Sequence, residues 1–296
     1  MIGDVPGAVA AKVADALKQK IGTNITVREF SFCGGGCINH GGRLSTSTGD
    51  FFLKWNSARK FPGMFEAEAK GLEMLRATNT LSIPQPIAYG EAGDHQFLMM
   101  EFVHQAAQIR NYWQALGEQL AALHGHTQDA FGLDHHNYIG SLPQFNELHT
   151  SWLDFFIEQR LQVQLNLLER GHSISSAARK KFDVLVKHLP DLLVLEKPAL
   201  IHGDLWSGNL IVNSRGEPCL IDPAVYFGHR EVELAFTTLF GGFDPMFYEA
   251  YRSVFPLESG YEQRFEIYNL YPLLVHANIF GGHYLSQAAN IAGRFT

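Results

Sequence analysis

Cysteine is scarce in this sequence, with 3 among 296 residues. Small secreted domains that depend on disulfides carry more cysteines, in even numbers. An odd count of three therefore predicts a protein of a reducing compartment without a disulfide framework. A secretory signal is not predicted either, because Asp4 stands where a basic residue is expected. We expect a cytoplasmic protein.

Long apolar runs and basic clusters are also missing. The late apolar segment 267–280 is interrupted by Asn269, Pro272, His276 and Asn278, and it is shorter than the roughly 20 residues of a membrane-spanning helix. The formal net charge is −7, without a run of Lys and Arg. Nucleic-acid binding needs a concentrated basic face. We therefore expect neither a membrane nor a nucleic-acid partner.

The apolar pattern changes along the chain, and this change predicts two lobes. Helical spacing at 7–20 and 65–77 surrounds short apolar runs at 25–30, 43–48 and 50–55, and another run follows at 96–103. From about residue 105, helical patterns dominate at 112–125, 151–170, 175–189 and beyond 231. The sequence thus predicts an α+β protein, with a small antiparallel-sheet lobe at 1–103 and a larger, mainly helical lobe at 104–296.

The most informative stretch is HGDLWSGN at 202–209, followed by Asp222 thirteen residues after Asn209. Two apolar runs around a Gly-containing turn separate Asn209 from Asp222, a pattern that predicts a hairpin. The hairpin would bring Asp222 beside Asn209, with Asp204 facing the same place. One oxygen each from Asn209 and Asp222, completed by phosphate and water, suits Mg²⁺.

The same spacing occurs in protein kinases, where a catalytic-loop Asp accepts the hydroxyl proton and an Asn and a later Asp bind metal. Two departures, Gly203 before the Asp and Pro223-Ala224 after the later Asp, point away from protein kinases. They favour a small-molecule kinase of the same fold. The alternative is that Asp204, Asn209 and Asp222 are ordinary turn or capping residues.

A nucleotide-binding region is predicted upstream of this stretch. Glycines in a loop let backbone N–H groups approach phosphates, and three stand together here: Gly34, Gly35 and Gly36. Lys54 lies in the otherwise apolar third strand, where a buried ammonium needs a partner. The alternatives are a simple turn for the glycines and a solvated edge position for Lys54.

Glu68 is the predicted partner of Lys54. It lies one helical turn before the apolar Leu72, on the buried side of the helix 65–77. Glu66 and Glu73 are expected to be surface charges.

The end of the run 96–103 predicts the strip that joins the lobes. Its backbone groups could bind an adenine edge while apolar side chains flank the ring; the residues concerned are Met100, Glu101, Phe102 and Val103. A buried strand end is the alternative.

Together these motifs resemble the fructosamine kinase, or ketosamine-3-kinase, family, in the aminoglycoside phosphotransferase-like branch of the protein-kinase fold. The resemblance is carried by GGGCIN at 34–39, HGDLWSGN at 202–209, and Asp222-Pro223-Ala224 followed by Tyr226 and GHRE at 228–231. It implies ATP-dependent phosphorylation of a sugar hydroxyl on ribulosamine, erythrulosamine or fructosamine adducts of amines or protein lysines, and thus a role in deglycation.

By motif, the resemblance also implies roles for single residues. Asp204 would be the catalytic base, Asn209 and Asp222 the Mg²⁺ ligands, and Lys54 the cation on the ATP phosphates, oriented by Glu68. Candidates for contact with the acceptor are Trp206, His202 and Tyr226. Packing of the loop is an equal alternative for Trp206, and a structural, ion-pairing role is favoured for the segment 229–231.

Three points stay open at this level. The acceptor could instead be an aminoglycoside or another amino alcohol, and a non-catalytic nucleotide-binding pseudokinase is a third possibility. A monomer and a homodimer are both compatible with the sequence. Cys33 and Cys37 flank the glycines, and their oxidation is a hypothesis for redox control of nucleotide binding.

Overall fold

The computed structural model describes residues 5–20, 22, 25–33 and 39–295. The chain divides into two compact units, the first formed by Met1–Arg110 with Ile211–Ile221 and the second by Asn111–Leu210 with Asp222–Thr296. The first carries the larger sheet and the second most of the helices. The predicted α+β class is confirmed, and the division at 103/104 stays a prediction.

The first unit is built on a five-stranded antiparallel sheet in the order β1-β2-β3-β5-β4. Its elements are α1 (Gly7–Lys20), β1 (Val27–Phe32), β2 (His40–Thr46), β3 (Gly49–Ser57), α2 (Met64–Ala77), β4 (Pro86–Ala92) and β5 (His95–Glu101). A hairpin of β9 (Leu210–Val212) and β10 (Pro218–Leu220) joins this unit, because Leu220 N–H donates to Ser82 O at 3.0 Å.

One face of this sheet packs against α1. The helix buries Val9, Val13 and Leu17, spaced by four residues so that they share one side. They meet Leu53 of β3 and Met99 of β5 in one apolar cluster. Because side chains alternate along a strand, the residue after Leu53 points to the opposite face. The α1 packing therefore determines which face Lys54 occupies.

Two details of the sheet differ from the sequence-based expectation. Strand β4 was not predicted, because Pro84 and Pro86 indicate a break; Pro86 is instead the first residue of the strand, a position where proline is tolerated. Strand β5 ends at Glu101, so Phe102 and Val103 lie beyond the strand and not within it.

The second unit is mainly helical. Its helices are α3 (Tyr112–His124), α4 (Trp152–Phe155), α5 (Val163–Arg170), α6 (Ser176–Leu192), α7 (Arg230–Leu239), α8 (Pro245–Val254), α9 (Tyr261–Tyr268), α10 (Leu270–Phe280) and α11 (Tyr284–Ala292). Two short strand pairs accompany them: β6 (Asn137–Ile139) with β7 (Leu142–Gln144), and β8 (Ala199–Ile201) with β11 (Tyr226–Gly228). Among the described residues, none of the helices has the length and apolarity of a bilayer-crossing segment.

The predicted helix 151–170 contains a π-helical segment, Phe156–Gln162, between α4 and α5. Such segments re-aim side chains relative to a regular helix. This one turns Gln159 and Arg160 into the interior, where Arg160 has no exposed surface. The regular helical period of 3.6 residues does not predict that Arg160 is buried in this segment.

Candidate active site

The loop after β8 brings Asp204 and Asn209 together. Asn209 Nδ2 donates to the backbone oxygen of Asp204 at 2.8 Å and to its Oδ2 at 2.9 Å. Both partners are acceptors, so the Asn209 amide nitrogen must face Asp204 and its oxygen Oδ1 must face away. The amide oxygen is therefore left for another partner, as a metal ligand requires.

Asp222 lies just after the hairpin, with an exposed side chain and a left-handed backbone at φ 54°. Asp tolerates this region better than most residues, and strained backbone concentrates at functional sites. Two residues on, Ala224 N–H donates to His202 O at 2.9 Å. This bond ties the segment that follows Asp222 to the segment that precedes Asp204.

Gly203 is required by this contact. Its φ is +83°, and a Cβ at this position would collide with the Ala224 carbonyl. The departure from the protein-kinase pattern at Gly203 thus has a steric reason.

The surroundings of Asp204 raise the pKa of its carboxyl. Burial raises the pKa of this carboxyl well above its usual range, the Asn209 N–H opposes the rise, and the charges of Asp222 and Glu233 add to it. A carboxyl of raised pKa can hold a transferred proton, which suits a catalytic base.

Mg²⁺ prefers hard oxygen donors in an octahedral arrangement. Across the described ranges, no group of three His, Cys, Asp or Glu side chains could hold a metal ion by itself. Asn209 Oδ1 and the Asp222 carboxylate offer two kinds of hard oxygen donor, and Mg²⁺ commonly takes its remaining ligands from phosphate and water. The residues fit a cation that arrives with a nucleotide.

A buried carboxylate, Glu233 of α7, holds the backbone before Asp204. It accepts from His202 N–H at 3.0 Å and Gly203 N–H at 2.8 Å, and it lies 3.0 Å from His124 Nε2. Burial alone would raise the pKa of Glu233, but the hydrogen bond and charge of His124 lower it overall. His124 Nδ1 continues the chain of contacts to Tyr251 Oη at 2.8 Å.

In the first unit, Lys54 forms an ion pair with Glu68 of α2. Lys54 is 4% exposed, and its ammonium also lies 5.8 Å from the centre of the Phe65 ring. Glu66 instead pairs with Lys70 on the surface at 2.8 Å, and Glu73 is exposed. The structure therefore makes Glu68 the partner of Lys54, while the role of the pair stays a prediction.

The predicted adenine-binding strip lies at the end of β5. Met100 is buried, and Glu101 N–H donates to Gln85 O at 2.8 Å. Within the described part of the chain, the peptide groups of Phe102 and Val103 make no hydrogen bond. The other predicted phosphate contacts, Gly34, Gly35 and Gly36, lie outside the described residues, as does Cys37.

Trp206 is the predicted acceptor contact that is accessible. Its side chain is 38% exposed, and its ring lies over Gly208, where a Cβ would collide with the indole. The ring centre is 6.2 Å from that of Phe240, which is 4.9 Å from that of His276. An aromatic surface in the second unit thus begins beside Asp204.

The other two predicted acceptor contacts are buried. His202 is 0% exposed and Tyr226 is 1% exposed, because His202 enters the loop from β8 and Tyr226 belongs to the paired strand β11. This burial disfavours direct contact with an acceptor. Contact of His202 or Tyr226 with an acceptor stays a prediction.

The segment 229–231 is held by buried ion pairs. Arg230 Nη2 lies 2.7 Å from Glu196 Oε1, and Arg264 Nη2 lies 2.6 Å from Glu231 Oε1. These contacts agree with the structural role that the sequence favoured.

Sequence reasoning predicted neither Glu233 nor His124 as a residue of the site. A weak signal exists for Glu233, since a carboxylate in the apolar run Val232–Phe236 must find a buried partner. Its partners lie 31 and 109 residues away in sequence, so no local pattern identifies them.

Comparison with known proteins agrees with this geometry. The family model for fructosamine kinase matches residues 9–295. A Synechocystis protein provisionally named ketoamine kinase is 42% identical over 93% of both chains. The chloroplastic protein-ribulosamine 3-kinase of Arabidopsis thaliana is 38% identical over 96% of this chain and 88% of its own.

Solved structures agree as well. A protein of Haemophilus somnus, provisionally named fructosamine-3-kinase, has a TM-score of 0.87 at 29% identity over 96% of each chain. The aminoglycoside phosphotransferase APH(4)-Ia shares the fold, with a TM-score of 0.65 at 15% identity over 96% of this chain and 97% of its own. With a family model that spans nearly its whole length, the chain belongs to the fructosamine kinase family.

Proposed function

We propose that this protein is an ATP-dependent kinase that phosphorylates a sugar hydroxyl of ketosamines and so acts in deglycation. The acceptors would be ribulosamine, erythrulosamine or fructosamine adducts, on small amines or on protein lysines. The observation that carries the proposal is the Asp204–Asn209 pair, with Asp222 beside it, in a chain of this family. The names of its relatives, ketoamine kinase and protein-ribulosamine 3-kinase, support the substrate class.

Asp204 would position the acceptor hydroxyl and take its proton as the new bond to the γ-phosphorus forms and the bond to ADP breaks. Phosphoryl transfer has a loose transition state, so alignment and charge stabilisation contribute more than deprotonation. Asn209 Oδ1 and Asp222 would hold Mg²⁺, whose contribution is to neutralise charge on the phosphates. The raised pKa of Asp204 is consistent with retention of the proton.

Lys54 would contact the α- and β-phosphates, with Glu68 keeping its ammonium in place. The ion pair and the burial of Lys54 support this role. Adenine would bind along 100–103, where the peptide groups of Phe102 and Val103 make no hydrogen bond to the other described residues.

Trp206 would cover the apolar face of the sugar, with the surface continuing over Phe240 and His276. The amine of a ketosamine is largely protonated near neutral pH, and a cation is attracted to the face of an aromatic ring. The exposure of Trp206 and its position two residues after Asp204 support this role.

The test is ADP release in a coupled assay with ribulosamine and fructosamine adducts of Nα-acetyl-lysine, and with hygromycin B as an aminoglycoside. We expect turnover with at least one ketosamine, and a fall in kcat of about 10²- to 10⁴-fold in Asp204→Asn, the usual contribution of a positioned acid or base. The matched control is Asp154→Asn, an exposed carboxylate on α4.

Turnover with hygromycin B alone would favour the aminoglycoside alternative. Absence of turnover with every acceptor would refute the proposal, and full activity of Asp204→Asn would refute the assigned base.

A further inference from the structure

Three buried amide side chains lie beneath the segment that follows Asp222. We call them the amide clamp; they are Asn137, Gln144 and Asn146, which are 6%, 2% and 0% exposed. Asn137 Nδ2 donates to Val225 O at 2.8 Å, and Gln144 Nε2 donates to Ala224 O at 3.0 Å. The clamp therefore binds two consecutive carbonyls of the chain just after the predicted metal ligand.

The orientation of each amide is determined by its neighbours. Tyr271 Oη donates to Gln144 Oε1 at 2.7 Å, which turns Gln144 Nε2 toward Ala224 O. Gln144 Nε2 and Asn146 Nδ2 both donate to Asn137 Oδ1, at 2.8 and 3.0 Å. Reversal of any one amide would place like groups against each other, and buried unsatisfied groups are costly. The three amides of the clamp therefore have a single hydrogen-bonding arrangement.

Arg160 anchors the far end of the clamp. Its guanidinium donates to Asn146 Oδ1 at 2.7 Å and to Phe145 O at 2.6 Å, and it lies 4.0 Å from the centre of the Tyr226 ring. Of the carboxylates in the described ranges, none forms an ion pair with it. A cation that is fully buried without a carboxylate partner costs stability, so its presence at this point calls for a functional reason.

Ala224 is the point where the clamp meets the catalytic loop. Its C=O accepts from Gln144, and its N–H donates to His202 O at 2.9 Å. Ala224 lies two residues after Asp222, and its partner His202 lies two residues before Asp204. Ala224 thus links the clamp to the backbone on both sides of the predicted site. The Gly203 backbone lies against the same carbonyl, so Ala224 cannot shift without moving the loop.

We propose that the amide clamp and Arg160 are positioning residues that set the place of Asp222 relative to Asp204, and with it the place of the metal-bound phosphoryl group. The proposal rests on the proposed function. It assigns these residues no contact with substrate or metal; they act through the Ala224 and Val225 carbonyls.

The test compares Gln144→Met and Tyr271→Phe with Gln164→Met. Gln144→Met removes the donor to Ala224, and Tyr271→Phe removes only the bond that orients Gln144. Gln164 is also a buried glutamine of the second unit, bonded to Asn278 and outside the clamp. Readouts are kcat and KM for a ketosamine, the melting temperature, and Mn²⁺ affinity with AMP-PNP by water-proton relaxation.

We expect Gln144→Met to weaken Mn²⁺ binding and lower kcat by about 10- to 100-fold, as for groups that orient metal ligands, with KM for the ketosamine changed by less than about twofold. Tyr271→Phe should change the same two quantities by about threefold, the size of one neutral hydrogen bond. Gln164→Met should leave Mn²⁺ affinity and kcat unchanged.

Wild-type Mn²⁺ affinity and kcat in a folded Gln144→Met would overturn the proposal, as would a loss of melting temperature alone, shared with Gln164→Met. If Gln144→Met does not fold, Tyr271→Phe decides by the same criteria. Weaker Mn²⁺ binding in the clamp variants, in a protein that turns over no ketosamine, would support the positioning role and refute the proposed function.

Discussion

Lys54 in the first unit and Asp204 in the second are held in different ways. Lys54 stands on a regular strand, where the pairing of β3 with β2 and β5 places it opposite Gly41 and Leu98, and one ion pair with Glu68 completes its setting. Asp204 stands in a loop and depends on Asn209, on Glu233 and on the bond between Ala224 and His202.

The two residues differ in how far along the chain their supporting partners lie. A strand sets the direction of its side chains by its own period of two, so one nearby partner is enough. A loop has no such period, and its backbone groups must find partners elsewhere. The second unit supplies them with buried polar side chains, each of which must be satisfied. Single changes should therefore act locally in the first unit and spread in the second.

After Asp204→Asn, the largest effect is expected from loss of the ammonium in the first unit. Lys54→Met should lower kcat/KM for ATP by about 10²- to 10³-fold, the usual cost of one removed transition-state donor. Glu68→Gln should cost less, about tenfold, because the cation remains but loses its charged partner. Steady-state kinetics with varied ATP measure both.

Glu66→Gln is the matched control on the same helix, since Glu66 pairs with Lys70 at the surface and such pairs contribute little. Equal losses in Glu66→Gln and Glu68→Gln would remove the basis for assigning the buried pair a special role.

Glu233→Gln should show how far a change spreads in the second unit. The amide has one oxygen for the three groups that Glu233 contacts, so at least one buried donor loses its acceptor. We expect the free energy of unfolding to fall by about 3 kcal/mol, within the range for a broken buried pair, and kcat to fall with it. Denaturant titration and ADP release measure the two effects.

The control for this change is Glu249→Gln, an exposed carboxylate on α8, which should leave both quantities unchanged. Full stability and activity of Glu233→Gln would mean that the loop keeps its shape without this support.

A smaller effect should appear in the acid sensitivity of the second unit. Burial, opposed by the Glu196 charge, lowers the pKa of His229 to about 4, while an unfolded histidine titrates near 6.5. Below pH 6.5 the unfolded chain binds a proton at this histidine that the folded chain does not bind. The free energy of unfolding therefore decreases as the pH is lowered. Between pH 7 and pH 5 this group should cost about 2 kcal/mol.

His229→Asn should reduce that loss, because asparagine does not titrate and can still cap α7 through the bond now made to Glu231 N–H. Denaturant titrations at pH 7 and 5 check it, with the exposed His188→Asn as control. An unchanged difference between the two pH values in His229→Asn would assign the acid sensitivity to other groups.

Local patterns predicted much of the first unit. Helix α1 has the predicted bounds. Glu68 pairs with Lys54 as predicted, because the period of its own helix or strand sets the direction of each side chain. Strand β4 was missed, since Pro86 indicates a break when its neighbouring strand is unknown. The hairpin after Asn209 was predictable because its turn and its apolar runs are contiguous.

The sequence alone predicted the chemistry proposed for this protein, through Asp204, Asn209 and Asp222 at spacings that few other functions require. Tertiary structure alone decided what holds those residues. Gln144 meets Ala224 across 80 positions, and His124 meets Glu233 across 109. Periodicity reports which side of an element is buried, but it carries no information about which distant polar group will satisfy a buried amide or carboxylate. The motif was therefore predictable, and the support beneath it was not.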